Sequence, residues 1–322
     1  MIAGTALVVG RSWVPPEEIV RMIAGRVIPM TQTWFPEEAT VVFDVRIPRV
    51  MLAFFVGSAL ALAGAALQSL FRNPLVSPQM LGVSSGASFG GVLAMVLGLG
   101  TVGTVGGAFL SGLVALLLVL AIGRISGVSP LLMIVLGGVV VSALFSSLVS
   151  LITYTADPYT QLPAITFWLL GSLATVNETK ILTVLVPLLI GGAAILALRW
   201  RLNVLALGDE DATALGVAPR TTRTLLLVAV ALLTAGAVAV SGVIGWVGLI
   251  VPHIARLAVG PDNRVLLPAS LIIGGGYLVL VDTIARALTT TEIPLGILTA
   301  LIGAPFFVLM LVRFGKRELA HE

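Results

Sequence analysis

Read from its N-terminus, the chain changes near residue 50 from mixed polar and apolar positions to long apolar runs separated by brief polar gaps. The runs cover 51–70, 79–98, 102–122, 131–154, 181–198, 224–242, a shorter stretch at 247–258, then 265–285 and 295–312. A hydrocarbon layer roughly 30 Å thick takes about 20 helical residues to cross, and most runs have that length. Barrel strands would alternate apolar and polar positions over about ten residues, whereas here Ala, Leu, Val and Gly follow one another without alternation. The pattern predicts an all-α polytopic membrane protein, one transmembrane domain over 1–322. Met1–Gly10 is also apolar but reaches only about 15 Å as a helix. It has neither a basic n-region nor a small-residue cleavage site, so it reads as the second half of a first helix whose beginning is missing. With it, the expectation is about ten transmembrane helices.

Composition sharpens this picture. Of 322 residues, 58% are hydrophobic and 10% charged, against roughly 25% charged in a typical soluble domain. No cysteine is present, which excludes disulfides and thiolate metal sites. Two histidines, one of them His321 near the C-terminus, leave little for a histidine-ligated metal. The net charge of +3 comes from basic residues scattered between apolar segments, a placement that sets topology rather than nucleic-acid binding.

With ten crossings, one side holds Arg72, Arg124, Arg199, Arg201, Arg220, Arg223, Arg256, Arg264, Arg313, Lys316 and Arg317. The other holds Arg11, Arg21, Arg26, Arg46, Arg49, Lys180 and Arg286. The positive-inside rule then places both termini in the cytoplasm. Gly57, Ala61 and Ala65 recur every four residues, as do Gly82, Gly86 and Gly90, which predicts small-residue stripes where helices approach closely.

Chemistry is sparse. A nucleotide-binding loop needs a glycine-rich turn ending in Lys-Ser or Lys-Thr, yet the two lysines precede Ile181 and Arg317. Proton or sodium coupling calls for ionisable groups near the bilayer midplane; the nearest candidate, Asp282, lies about one turn from Arg286 and reads as a local ion pair. Ser142, Ser146, Ser147 and Ser150 have no base to activate them, so they hydrogen-bond to neighbouring carbonyls or line a path. His253, in Val251-Pro252-His253, reads as a helix-end histidine with local hydrogen bonds.

The loop 199–223 is more informative. Gly208 to Val217 reads as a short helix with Asp209 as N-cap, Glu210 and Asp211 at the positive end of the dipole, and Gly216 closing it. So short a helix is unstable alone and needs something to pack on. Three consecutive acidic residues disfavour a lipid surface and favour a protein partner. At the opposite face, Arg46 and Arg49 bracket Ile47-Pro48, and Arg286 precedes Glu292-Ile293-Pro294. These arginines either anchor helix ends at the interface or present guanidinium groups to carboxylates of an external protein.

Arg46-Ile47-Pro48-Arg49, Gly64-Ala65-Ala66-Leu67-Gln68 and Arg72-Asn73-Pro74-Leu75-Val76-Ser77-Pro78 stand in order along the chain. Leu81 to Ala87, Leu207 to Val217, Ser241 to His253, Glu292 to Gly296 and Gly303 to Phe307 continue the series. Together they resemble the iron-chelate/cobalamin (FecCD-type) family of ABC importer permeases over about 46–313, with Ile47 in place of the usual Leu. The resemblance implies a type II importer fold of ten helices per subunit and a homodimer with the path on its two-fold axis. It implies two cytoplasmic ATPase subunits and an extracytoplasmic substrate-binding protein that delivers a bulky metal chelate: ferric siderophore first, or haem or cobalamin. By position, Arg46, Arg49 and Arg286 are the docking residues, and Gly208, Asp209, Glu210, Ala212, Leu215 and Gly216 the ATPase coupling residues. The helix at 131–154 and the stretch around 161–170 match elements of the path, with Ser142, Ser146, Ser150, Leu162 and Phe167 as candidate lining residues. No cofactor is expected on this chain; ATP and Mg belong to the ATPase. The rival reading is an ATP-independent facilitator or channel for a small solute, which leaves the acidic loop helix unexplained.

Overall fold

The computed structural model of the chain describes residues 2–9, 14–26, 28, 32, 34–124, 130–289 and 291–318, and every regular element among them is helical. Met1, Gly10 and Arg11, used in the sequence reading, lie outside the described residues, as do the side chains of Arg313, Lys316 and Arg317.

Helix α1 (Ile2–Val8) lies against the main bundle, with Ala6 fully buried. The segment that the hydrophobic pattern left irregular holds two short helices, α2 (Pro16–Gly25) and α3 (Pro36–Thr40). Each begins with proline at its first position and two glutamates in its first turn, where a missing N–H costs nothing and negative charge suits the dipole. Val14, Ile19, Met22 and Val42 form a small satellite core there.

From α3 the chain enters α4 (Ile47–Phe71) without a break, through a π-helical stretch at Val41–Arg46. Pro48 supplies the cause: it has no N–H for the Asp44 carbonyl, and its ring presses on that carbonyl. The turn widens, and Ile47 N–H reaches back five residues to Val42 O. The apolar run 79–98 resolves into a 3-10 turn at Pro78–Leu81 followed by α5 (Val83–Val96). Then come α6 (Gly100–Ile122), α7 (Pro130–Thr155), α8 (Gln161–Leu169) and α9 (Glu178–Ala197). The polar loop carries α10 (Arg199–Leu205) and α11 (Asp209–Ala214), and the chain closes with α12 (Pro219–Ser241), α13 (Val247–Val259), α14 (Asn263–Ala287) and α15 (Leu295–Glu318).

Six of these segments are long and apolar enough to cross a membrane, and α5, α13 and α15 add shorter apolar helices. The protein is multi-pass, close to the expected ten helices. Helices α4 and α12 are buried over most of their apolar length, whereas α6 and α7 are buried over about a third or less. Between helices in lipid the driving force is close packing rather than water exclusion, and glycine permits it here. A Cβ on Gly64 would stand 1.9 Å from the Gly248 carbonyl oxygen of α13, and one on Gly57 2.3 Å from that of Gly274 on α14. Gly86 and Gly90 face Ala115 and Gly107 of α6 in the same way. Gly82, expected in that stripe, instead sits in the turn before α5 and faces Val141 of α7.

Three interruptions of the helical chain meet inside the bundle: the end of α8, the α12–α13 break, and the start of α15. Ser172 N–H donates to Ser241 O at 2.8 Å, Leu295 N–H to Gly171 O at 2.9 Å, and Gly296 N–H to Leu170 O at 3.0 Å. Irregular backbone at membrane depth must find partners within the protein, and these segments supply them to one another. Gly242 makes the approach possible, because a Cβ there would lie 2.0 Å from Trp168 O.

Helices α4 and α14 run antiparallel and fix two ends about 37 Å apart by their 25-residue lengths. Arg49 and Arg286 mark one end; Ser69, Arg72 and Asn263 mark the other, with α10 and α11 beside them.

Candidate functional site at the two ends of the bundle

At the first end, Arg49 lies between two carboxylates. Its Nε and Nη2 donate to Asp282 at 2.9–3.1 Å, and its Nη1 and Nη2 donate to Glu292 at 2.9 and 3.0 Å. Arg286 stands one turn from Asp282 on α14, with Nε 3.1 Å from Oδ2. The local ion pair read from spacing is therefore present, within a larger four-residue cluster that ties α4 to α14 and to the segment entering α15. Two positive and two negative charges balance there, and the guanidinium fork of Arg49 is used on both sides.

Arg46 has a different task. It donates to the carbonyls of Leu7 and Val8 at the C-terminal end of α1, and Arg286 donates to Ala6 O. The last carbonyls of a helix have no intrahelical donor and carry the negative end of its dipole, so two arginines close α1. All three arginines are buried. Each guanidinium is turned inward onto partners of this chain: Arg49 onto Asp282 and Glu292, more than 200 residues away, Arg286 onto Asp282 one turn back and Ala6 O, and Arg46 onto the α1 carbonyls.

At the other end, α11 forms as the loop pattern requires, with one change. Gly208, not Asp209, holds the N-cap position, and Asp209 opens the helix. Its carboxylate takes a bidentate pair from Arg223 of α12 at 2.5 and 2.8 Å. That hydrogen-bonded pairing with Arg223 holds the Asp209 carboxyl below the usual carboxylate range. Gly216, at φ +77°, closes the helix as expected: its N–H meets Thr213 O at 3.0 Å and Val217 N–H meets Ala212 O at 2.9 Å, a Schellman arrangement. Ala212 and Val217 are buried and seat α11, while Glu210 and Asp211 stay exposed. Leu207 and Leu215 flank the acidic turn at 61% and 53% exposure.

A polar layer unforeseen in the sequence supports this end. Asn203 of α10 donates to Asp262 at 2.6 Å and accepts from Asn263 at 2.8 Å, and Asn263 in turn accepts from Ser69 at 2.6 Å. Asp262 caps α14 by accepting from Arg264 N–H at 2.9 Å, and that bond, followed by the one from Asn203, holds its carboxyl below the usual range. The only available signal was Asp262 just before the apolar run of α14. Arg72 donates to Leu205 O. His253 is buried with its ring against Phe306, centroids 5.9 Å apart. Nearby Gln68 donates to the carbonyls of Gly248 and Leu249 at 3.4 and 3.3 Å.

The candidate path residues occupy outward faces. Ser146 and Ser150 are exposed and Ser142 is half-buried on α7, and Ser150 donates to Ser146 O at 3.0 Å, the carbonyl bonding read from the sequence. Leu162 is half-buried and Phe167 exposed on α8. No group of three or more His, Asp or Glu side chains able to hold a metal ion occurs among the described residues.

Among the described residues the bundle thus has an uncharged middle, a closed charged cluster at one end and an exposed acidic helix at the other. Comparison with known proteins gives its class. The model of the FecCD transport family matches residues 1–313, and the chain belongs to that family. It is 46% identical to the molybdate import system permease protein MolB of Haemophilus influenzae, over 88% of this chain and 85% of that one. It is 44% identical to the cobalamin import system permease protein BtuC of Halobacterium salinarum, over 86% and 74%. A solved structure described as an inward-facing conformation of a metal-chelate type ABC transporter shares 43% identity and a TM-score of 0.87, covering 97% of this chain and 95% of the other.

Proposed function

We propose that this chain is the membrane subunit of an ATP-driven importer for a bulky metal chelate, working as a homodimer in the cytoplasmic membrane with both termini inside. Two separate ATPase chains bind at the α11 end and use the ATP and Mg. The observation that carries this reading is α11: a short helix seated by Ala212 and Val217, with acidic residues and two leucines turned outward. A partner with an apolar cleft rimmed by basic side chains fits that surface. ATP binding then moves α11, and the bundle follows as a rigid body.

An extracytoplasmic binding protein docks at the Arg49 end. Because Arg46, Arg49 and Arg286 are already paired, docking there works by exchange: an acidic side chain of the partner displaces Glu292, itself 25% exposed, from Arg49. The exposed faces of α7 and α8, with Ser142, Ser146, Ser150, Leu162 and Phe167, turn toward the second subunit and line the path. An uncharged lining suits a large cargo that has to be released. Ferric siderophore is the leading cargo, with haem and cobalamin next. Molybdate belongs in the same assay because a 46% identical relative is named for it.

Mild-detergent purification of the tagged chain from its host tests the reading. A stoichiometric ATPase should co-purify, and its hydrolysis should rise with the loaded binding protein. Recovery of the chain alone, still transporting cargo without ATP, would put the facilitator reading in its place.

A further inference from the structure

On the Arg49 end, away from the ion cluster, a cavity of about 440 Å³ opens between the α5–α6 turn, α8 and the start of α9. Thr101, Thr104, Trp168, Thr175 and Lys180 line it. Lys180 is only 7% exposed. Its Nζ donates to Thr175 Oγ1 at 2.6 Å, which uses one of three protons. No ion pair engages it among the described residues. A buried ammonium is costly without a counter-charge, and this residue is part of the cavity wall.

Met95, Val105 and Trp168 give the cavity an apolar side, and the remaining polar groups of its wall include donors. Thr175 accepts from Lys180 and keeps its own hydroxyl proton to give. Gly100 and Thr101, the first residues of the 23-residue α6, also line the cavity. The N-cap Leu99 offers that helix no side-chain acceptor, so its first-turn N–H groups and the positive end of its dipole are left for a ligand. Thr104 is spent on Gly100 O at 2.9 Å and serves as wall.

We propose that this cavity binds one tetrahedral oxyanion, free or as the phosphate of a lipid headgroup, with Lys180 as counter-charge and Thr101, Thr175 and the α6 N-terminus as donors. The site is independent of the ATP-coupled reading, since none of its residues belongs to the ion cluster or to α11.

Calorimetric titration of the full chain in maltoside with sulfate, phosphate and molybdate, at constant ionic strength set by chloride, tests it. One saturable site per chain is expected, about tenfold weaker in Lys180→Met, as loss of a charge-assisted contact requires. Thr101→Val should weaken it several-fold and Lys180→Arg should keep it, so the test survives if Lys180→Met does not fold. Native mass spectrometry separates the sources: one phospholipid retained by the wild type and lost in Lys180→Met, with free anions binding only after delipidation, assigns the headgroup. Absence of saturable binding together with no retained lipid, or equal binding by Lys180→Met, overturns the proposal.

Discussion

The two ends of the bundle carry similar numbers of charged groups and use them in opposite ways. At the Arg49 end, Arg49, Asp282, Arg286 and Glu292 are folded onto one another, and Arg46 closes α1. At the α11 end, one pair, Asp209 with Arg223, steadies the helix while Glu210 and Asp211 face outward. Charge that is buried and paired holds helices together, because breaking it strands an ion away from water. Charge that is exposed contributes little to the fold and remains available to a partner. One end is fastened and the other is offered.

The largest effect should come from the fastened end. Asp282→Asn leaves two buried guanidinium groups facing one remaining carboxylate and should cost about 3–5 kcal/mol, read as a lowered unfolding midpoint in detergent. An unchanged midpoint would mean that the cluster is solvated and would erase the contrast. Between the ends, Gly64→Val forces side-chain atoms into the Gly248 carbonyl and should cost about 1–3 kcal/mol by overpacking, with α4 and α13 losing amide protection together. If only α13 loosened, the core would not be the rigid spacer that separates the ends.

A more local change is expected at the offered end. Ala212→Asp places a carboxylate in the seat of α11 and should destabilise that helix by about 1–3 kcal/mol, exposing 205–217 to proteolysis while the bundle midpoint stays put. ATP hydrolysis and uptake should then come apart. Smallest of all, Asp209→Asn should change global stability by less than about 1 kcal/mol. Its pH dependence has a definite sign: since Arg223 lowers the folded-state value, the pair's contribution is full above the ordinary carboxylate range and is lost only as pH falls below it. Protection of the α11 amides should be the same at pH 7 and pH 5; a loss within that window would rule out the pairing.

Much of this was legible in the sequence because lipid imposes a simple rule. An unbroken apolar stretch has to become a helix, so the apolar runs located α4, α6, α7, α9, α12, α13, α14 and α15 to within a few residues. The loop helix was legible for a local reason, since acidic residues at its start and Gly216 at its close act within one or two turns. What stayed hidden is non-local or depends on a missing donor. Nothing near Arg49 in the chain points to Asp282 or Glu292, more than 200 residues away. Pro48 was visible, but the widened turn before it follows only once α3 and α4 are known to be continuous. Likewise Asn203 reads as an ordinary loop residue until α10 brings it against Asp262.

The backbone bonds that join the end of α8 both to the end of α12 and to the start of α15 have a mechanical consequence. Each of these segments completes another's valence, so none can slide or tilt alone without stranding an amide in hydrocarbon. They constitute a hinge pin with three leaves: motion of any one is transmitted to the others at once, and a single cross-link across any pair would arrest all three.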